Sequence, residues 1–443
     1  MDVLKISVII VMAWLLASCR DSESVGGVDN TSPTGDVMFK FQILRSKDTG
    51  GNEALYSLLT GGESDLDVRI YLFCSHTSGD DDSFVCVSPY SDGNREPYIH
   101  VNIEDLNSSL SIGTDSDFSD NKSYSYNSSL DINTANGFYY RFLAIGVRNI
   151  DRDVVAIDCA PGMKWTDVRV RDRREKSTGR AIEVYSGLAV ADKATGSTDF
   201  MINGGSLQVD IDMRRCMAGV MLCVEKIPEE LISDFTYLRS SGEIPSDSEE
   251  VITESVSYSV DRLSIIAPGF NTALHPGLSH ITDDYCSGIA ELVTIDLQDS
   301  DLNADDKVFS NGSMIFPVRL DDKSIEINGL TLDRSSLSLV VYTSVLTPGE
   351  EKDVAESGKT YYPLKVIPIR LSAEAEVETT GTAQNGWDDG QVSSDRFRFN
   401  LQANHLYCLG TPDAPIDLSR IIKSEHADIE VNGNYQVDVN IPF

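Results

Sequence analysis

Apolar and polar side chains alternate along much of the chain, and the first clear example follows a polar N-terminal stretch. Its apolar side chains recur at every second position, at Val37, Phe39, Phe41 and Ile43. A period of two is the pattern of a strand that buries one face. We therefore predict a half-buried strand over residues 37–44.

Strand-like segments recur to the end of the chain, separated by clusters of Gly, Asn, Asp and Ser that favour turns. The longer ones lie at residues 66–74, 98–103, 138–147, 206–213, 217–224, 256–266, 290–297, 313–320, 337–342, 361–371 and 435–443. Helical periodicity is scarce, and its best example is residues 228–238, with a proline at the start and acidic residues in the first turn. The pattern predicts an all-β fold of β-sandwiches with few short helices.

The length of the chain changes this picture from one unit to two. The chain has 443 residues, whereas a single core stops growing beyond roughly 250–300 residues. We predict two tandem β-sandwich domains over residues 36–205 and 206–443, with the break at the glycine pair 204–205. A break after the 206–224 run is the alternative.

The N-terminus carries the sharpest local signal. Lys5 precedes an apolar run over residues 6–16, which suits the central region of a signal peptide and is short of the about 20 residues of a membrane span. The run ends in Leu16-Ala-Ser-Cys19, which resembles the lipobox of bacterial lipoproteins. That resemblance implies removal of residues 1–18 and lipidation of Cys19, whereas the alternative is an ordinary secretory signal with an incidental cysteine. Residues 19–35 are polar and rich in turn formers, which predicts a flexible tether.

Net charge narrows the classes of partner. The sequence contains 36 Lys and Arg against 70 Asp and Glu, a formal charge of −34. Such acidity excludes a nucleic-acid partner, because the phosphate backbone would repel the protein. One basic island, at residues 169–180, is predicted to be an exposed loop or hairpin.

The sequence lacks the common motifs of catalytic and metal-binding sites. It contains no GxxxxGK[ST], GxGxxG, HExxH or GxSxG motif. The acidic segments 80–82, 115–117 and 299–306 lack the complete ligand pattern of a calcium loop and are interpreted as solvated turns. We therefore expect a protein that is not an enzyme and that has no cofactor and no metal.

Seven cysteines follow Cys19, and most lie in apolar, strand-like segments. Small buried hydrophobes are the ordinary interpretation of such cysteines. Cys74 and Cys86 flank an acidic loop between two predicted strands, which places them to bridge a hairpin.

Several segments together resemble the fimbrillins, the type V pilins of Bacteroidales. Besides the lipobox-like start, they are FLAIGVRN at 142–149, YSGL at 185–188, LQVDIDMRRCMAGV at 207–220, ANHLY at 403–407 and the strand at the extreme C-terminus. The resemblance implies transthyretin-like sandwich domains and export as an outer-membrane lipoprotein on the cell surface or fimbrium. It also implies cleavage after an arginine by a trypsin-like protease, loss of the first strand, and filling of the resulting groove by a strand from a neighbouring subunit.

Two positions of this sequence fit that mechanism. Arg45 directly follows the 37–44 strand and is the cleavage candidate; the alternative is a surface arginine at a strand end. The donor-strand candidate is the alternating C-terminal segment, whose apolar side chains are Tyr435, Val437, Val439, Ile441 and Phe443. Burying five such side chains contributes on the order of 8–12 kcal/mol before ordering costs. The alternative is an ordinary last strand of the second sandwich.

The expected partners follow from this resemblance. They are other fimbrial subunits in head-to-tail contact, the outer membrane through the lipid anchor, and a host or bacterial surface receptor. The chain departs from the family pattern at Gly219, where the family often has a basic residue, and in its greater length, and both features favour a tip, anchor or accessory role over that of a major stalk subunit. The alternative function is that of a surface glycan-binding lipoprotein beside a nutrient transporter. Sugar-binding platforms usually need exposed aromatic side chains, and the only tryptophans left after the predicted maturation are Trp165 and Trp387, beside seventeen tyrosines.

Overall fold

The computed structural model of the protein describes residues 35–43, 66–90, 96–102, 122–130, 138–148, 151–173, 182–202, 207–239, 250–277, 285–297, 307–316, 325–327, 330–332, 337–346, 360–372, 397, 399, 401, 403 and 405–432. The predicted signal peptide, Cys19, Arg45, Trp387 and the segment 435–443 lie outside these residues.

Nearly all regular structure in the described chain is β-strand, so the predicted all-β class is confirmed. The strands of the first half are β1 (Gly35–Ile43), β2 (Leu66–Ser75), β3 (Val85–Val87), β4 (Ile99–Asn102), β5 (Lys122–Leu130), β6 (Tyr139–Arg148), β7 (Val155–Asp158), β8 (Arg169–Asp172), β9 (Val184–Leu188), β10 (Phe200–Met201) and β11 (Leu207–Arg215). Short 3₁₀ helices occupy Asp81–Ser83 and Trp165–Asp167.

The second half continues in the same way. Its strands are β12 (Ala218–Glu225), β13 (Glu230–Arg239), β14 (Glu250–Ser259), β15 (Arg262–Asn271), β16 (Ala273–Leu274), β17 (Tyr285–Asp296), β18 (Phe309–Ile315), β19 (Ile325–Ile327), β20 (Leu330–Leu332), β21 (Leu337–Thr343), β22 (Tyr362–Leu371), β23 (Leu406–Leu409), β24 (Ile416–Asp417) and β25 (Ala427–Asn432). One short helix, α1 (Leu418–Ile421), is capped by the Asp417 side chain, which accepts a hydrogen bond from the Arg420 N–H.

The first large sheet has the order β3-β2-β6-β9-β11-β1-β5, and it folds over at β11. The first part of β11 pairs with β1, whereas its last residues, Arg214 and Arg215, pair with β9. Side chains of β1 and β11 therefore pack against those of β2 and β6 across a shared interior, which we call the sandwich core. Its members include Val37, Phe39, Ile70, Leu72, Phe142, Ala144, Val209 and Ile211.

The second large sheet has the order β17-β15-β21-β22-β25-β23-β12-β18. The chain changes sheet between Arg215 and Ala218, because β11 pairs in the first sheet and β12 in the second. This change lies within the 206–224 run, C-terminal to the break predicted at residues 204–205, and the division into domains stays a prediction. Both faces of β12 are buried, which explains its continuous apolar sequence.

A separate cluster of side chains, the junction core, joins the two halves. It combines residues of the first half with residues of the second, including Phe73, Ile145, Trp165, Met221, Met314 and Leu406. Backbone pairing adds to this contact, since β16 of the second half pairs with β8 of the first. The two halves are thus connected by both apolar packing and a small sheet.

Replacing Gly277 with alanine should disturb this junction. A β-carbon at Gly277 would lie 2.2 Å from Cη2 of Trp165, which is fully buried. We expect the free energy of unfolding to fall by about 1–3 kcal/mol, measured by urea denaturation. In a Trp165→Phe background the same substitution should cost less, because the clashing part of the indole is gone; additive losses would contradict the clash.

The one predicted helix is wrong. Residues 228–238 lie largely in β13, which pairs with β14 over ten residues from Glu230↔Ser259 to Arg239↔Glu250. The segment is rich in β-branched and aromatic residues, among them Ile232, Phe235 and Tyr237, which favour strands. Hairpin pairing therefore prevails over the helix-start signal of the proline and the acids.

The basic island begins as a strand. Its first residues form β8, which pairs with β7 on one side and with β16 on the other. The Arg171 side chain forms an ion pair with Asp158, and the Arg169 guanidinium donates to the carbonyls of Thr166 and Val168. This part of the island therefore belongs to a hairpin, whereas residues 174–180 lie outside the described chain.

Candidate functional site: the first strand and its groove

The first strand is an interior strand of the folded-over sheet. It runs parallel to β11 from Val37↔Leu207 to Ile43↔Met213, and antiparallel to β5 from Gly35↔Leu130 to Ile43↔Lys122. Both backbone edges of β1 are therefore used. Its removal would leave two facing edges, one on β11 and one on β5, without their partner strand. We call the space that β1 fills between β11 and β5 the groove.

Side chains of β1 alternate between the sandwich core and solvent. Val37 is 1% exposed and Phe39 is fully buried, whereas Met38 and Lys40 are exposed. The Phe39 ring meets that of Phe142 edge to face with centroids 5.6 Å apart. Phe41 and Ile43 lie in the same strand, and their side chains are outside the described part of the structure.

The strand that flanks β1, β5, is one that sequence analysis missed. Its sequence KSYSYNSSL is dominated by Ser and Asn, and only the alternation of Tyr124 and Tyr126 suggests a strand. Tyr126 stands opposite Phe39 in the register, and partial burial together with Tyr90 raises the pKa of its phenol. The β5 edge of the groove is thus more polar than the β11 edge.

The other wall of the groove is anchored by buried charges. The Arg215 guanidinium at the end of β11 donates to Oε1 of Glu183 from Nη2 at 2.7 Å and from Nε at 2.9 Å. The Tyr185 hydroxyl also donates to this carboxylate at 3.0 Å, and burial raises the pKa of that phenol. Arg148 approaches the second oxygen of Glu183 at 3.9 Å and bonds Asp151 at 2.8 Å. These contacts fix the point at which β11 crosses between the two layers.

The predicted cleavage residue, Arg45, and the predicted donor strand, residues 435–443, lie outside the described part of the chain. Ile43 is the last described residue before Arg45, and Asn432 is the last before the segment 435–443. Their proposed roles, and that of Cys19, therefore stay predictions. The described part of the chain does show where the C-terminal segment departs: β25 is an interior strand of the second sheet, between β22 and β23.

Other chemistry in the described chain is limited. A cleft of about 650 Å³ between the β9–β10 loop and β11 is lined by Asp192, Lys193, Thr195, Asp199, Phe200 and Gln208 among others. Phe200 is only 7% exposed, and Trp165 is fully buried, so neither presents an aromatic face for a sugar.

Within the described ranges, no group of three or more His, Cys, Asp or Glu side chains is placed to hold a metal ion. The acidic segment at 80–82 makes structural contacts: the Asp80 carboxylate accepts from the Asp82 N–H, and Asp81 pairs with Arg141. Of the helices in these ranges, none has the length and apolar character needed to cross a membrane.

Comparison with known proteins gives structural similarities only. No protein-family model matches the sequence, and no curated protein matches it. Similar solved structures include a candidate cell-adhesion protein from Bacteroides eggerthii, with 11% identity, a TM-score of 0.38 and coverage of 91% of this chain and 97% of that one. A candidate polysaccharide-binding protein from Bacteroides thetaiotaomicron shares 13% identity, with a TM-score of 0.37 and coverage of 90% and 96%.

A third similar structure is the fimbrial anchor protein Mfa2 from Porphyromonas gingivalis, with 8% identity, a TM-score of 0.32 and coverage of 75% of this chain and 96% of that one. The similar proteins are of the kind that the resemblance to fimbrillins led us to expect.

Proposed function

We propose that the protein is a fimbrial or adhesive subunit that exchanges its first strand for a strand of a neighbouring subunit. The observation that carries the proposal is the position of β1, an interior strand paired on both edges, with Val37 and Phe39 buried in the sandwich core. A strand in this position cannot leave without creating a groove that another strand must fill.

The groove has the chemistry of a strand acceptor. Loss of β1 would uncover apolar side chains of the sandwich core, including Phe142 and Val209, and would open the facing edges of β11 and β5. Exposed apolar surface and open strand edges are both costly in water, and an added strand satisfies them together. The alternating segment 435–443 offers apolar side chains at the same spacing of two as β1.

Processing and anchoring complete the proposal. Export as an outer-membrane lipoprotein would place Cys19 at the membrane, with β1 following the predicted tether. Cleavage at Arg45, only two residues beyond Ile43, would free the lipid and β1 together.

The polarity of assembly follows from the two sheets. The acceptor groove belongs to the first sheet, whereas the donor candidate follows β25 of the second. Acceptor and donor are different surfaces of one chain, so repeated exchange gives a head-to-tail filament rather than a closed dimer.

Limited trypsin treatment of the purified, exported chain should test this mechanism. We expect a cut after Arg45, followed by growth from monomer into higher oligomers, both measured by intact mass and size-exclusion chromatography. Arg45→Ala and deletion of residues 435–443 should each abolish growth. Arg20→Ala, which spares the cut after β1, is the matched control and should assemble normally.

Two outcomes would contradict strand exchange. One is a chain cut at Arg45 that remains monomeric, and the other is growth that persists without residues 435–443. A cut monomer that binds polysaccharide in a pull-down would favour the alternative of a glycan-binding surface lipoprotein.

A further inference from the structure

Two cysteine side chains meet in the junction core. The Sγ atoms of Cys86 and Cys159 are 3.7 Å apart and not bonded to each other. Both residues are nearly inaccessible, Cys86 being 1% and Cys159 9% exposed. They are 73 positions apart in the sequence, so the fold rather than chain proximity places them together.

Backbone hydrogen bonds hold the two segments in place independently of the sulfur atoms. The Cys86 N–H donates to the Met163 carbonyl at 2.8 Å, and the Gly162 N–H donates to the Cys86 carbonyl at 2.8 Å. Between Cys159 and these residues the chain reverses in a turn closed by a bond from the Met163 N–H to the Ala160 carbonyl. Gly162 has φ of +89°, and it follows a proline, as a type II turn requires. The turn returns Cys159 to the side of Cys86.

The environment of Cys86 also excludes a bridge to Cys74, the alternative that the sequence left open. In the β2–β3 hairpin Cys86 stands opposite Phe73, and Cys74 stands opposite Val85. Because successive side chains alternate between faces, Cys74 lies in the sandwich core and Cys86 in the junction core. The alternative of a Cys74–Cys86 bridge across the hairpin is therefore wrong, and both side chains are buried, as the ordinary interpretation expects.

We propose that Cys86 and Cys159 form a disulfide bond in the exported protein. The proposal rests on the export step of the proposed function, because structural disulfides persist in oxidising compartments. A bonded pair has an S–S distance of about 2.05 Å, so the sulfur atoms must approach by roughly 1.6 Å. That approach calls for rotation of the two side chains, and the backbone hydrogen bonds of Cys86 and Gly162 do not involve the sulfur atoms that must move.

The oxidation requires an acceptor for two electrons, for which we assign a protein disulfide of the thiol–disulfide oxidoreductase class. The thiolate of one cysteine attacks that disulfide and forms a mixed disulfide, releasing one thiolate of the oxidant. The thiolate of the second cysteine then attacks the first cysteine's sulfur and expels the oxidant as a dithiol. Two protein thiols thus lose two electrons and two protons, and the oxidant gains them.

The surroundings of Cys86 and Cys159 indicate at which stage of folding the bond forms. Contact with Cys86, together with burial, raises the pKa of the Cys159 thiol, and this suppresses the thiolate in the folded state. The bond should therefore form before the junction core closes and resist reductants afterwards.

The crosslink would close residues 86–159 into a loop that contains β4, β5, β6 and β7. One of these strands, β5, is an edge of the groove. The proposed disulfide would thus restrain this part of the first half when β1 is absent.

Peptide mapping should detect the bond. The exported chain is denatured without reductant, alkylated and cut with trypsin, which releases Cys86 on residues 70–95 and Cys159 on residues 153–164. We expect these peptides as one linked species that separates on reduction. Chymotryptic cleavage after Phe84 distinguishes Cys86 from Cys74, and the Cys74→Ser variant, the matched control, should keep the linked species.

A second measurement separates the disulfide from the export on which it rests. Unfolded, reduced chain is refolded in a glutathione redox buffer, and the same peptides are mapped. The two peptides could be linked after refolding in vitro while both thiols are free in protein purified from the cell. This result would support the Cys86–Cys159 disulfide and contradict export to an oxidising compartment. Fully alkylated Cys86 and Cys159 after oxidative refolding would overturn the disulfide itself.

The stability of the linked protein gives an independent readout. Oxidised chain should unfold at a midpoint several degrees above that of the Cys86→Ala/Cys159→Ala variant, because the crosslink constrains the unfolded chain. Cys74→Ser should leave the difference between oxidised and reduced protein unchanged. No difference between oxidised and reduced wild-type chain would contradict a structural bond.

Discussion

Replacing Phe39 with alanine should lower the free energy of unfolding of the uncleaved chain by about 3–5 kcal/mol. The ring is fully buried, meets Phe142 edge to face, and lies near the centre of a strand paired on both sides. Truncation would leave a cavity between the two layers of the sandwich. Urea denaturation followed by Trp165 fluorescence would measure the loss. A Trp387→Phe background removes the emission of the other tryptophan, so that the signal comes from Trp165.

Met38→Ala is the matched control for this substitution. Met38 precedes Phe39 in β1 and is 38% exposed, so its truncation removes far less buried surface. We expect a change of under about 1 kcal/mol. Similar losses for Met38→Ala and Phe39→Ala would show that β1 is not seated with its alternate side chains in the sandwich core.

Phe39→Ala also distinguishes a β1 that stays in the assembled protein from a β1 that is exchanged for another strand. If β1 departs after cleavage, the assembled protein no longer contains residue 39. Phe39→Ala subunits should then assemble at least as fast as wild type, and their oligomers should be equally stable. Oligomers that keep the defect of the uncleaved chain would contradict strand release.

The parts of the fold that the sequence could predict are those with a strong local pattern. The alternation of β1 and the apolar runs of β2 and β6 match observed strands within a few residues. By contrast, β5 was missed because Ser and Asn dominate it, and its formation depends on pairing with β1. The helix assigned to residues 228–238 failed because a hairpin partner, β14, lies beyond the local window.

In the candidate site, too, local sequence patterns predict some features, whereas contacts between residues far apart in the sequence could not be predicted. Burial of Val37 and Phe39 follows from the period of two. That β1 runs parallel to β11 is a contact between residues about 170 positions apart, which no local pattern encodes. The Cys86–Cys159 contact likewise requires the strand register and the turn at Gly162, neither of which the spacing of the cysteines in the sequence reveals.

Arg215→Ala should also be strongly destabilising, by about 3–5 kcal/mol, because it leaves the buried Glu183 carboxylate without its main counter-charge. Glu183 is fully buried, and Arg215 meets one of its oxygens from two nitrogens. Tyr185 would still donate a hydrogen bond, but a phenol supplies no positive charge. Urea denaturation at pH 7 would measure the loss.

A second substitution tests the electrostatic cause. In the Arg215→Ala background, Glu183→Gln should recover part of the lost stability, because a neutral amide is less costly to bury than an unpaired carboxylate. Arg370→Ala removes the arginine of an exposed ion pair with Asp428 and should cost at most about 1 kcal/mol. If Glu183→Gln gave no recovery, lost packing of the arginine stem would be the better explanation.

The effect should reach the groove because of where Arg215 lies. It is the last residue of β11 and pairs with Tyr185 where that strand joins β9, after its earlier residues have formed one wall beside β1. Loosening this crossing point should therefore weaken the pairing of β11 with β1 as well as lower the free energy of unfolding of the whole chain. We expect trypsin to cut Arg215→Ala at Arg45 faster than wild type, whereas Arg370→Ala should be cut at the wild-type rate. Equal rates for both variants would show that the contacts of Arg215 with Glu183 do not influence how firmly β1 is held.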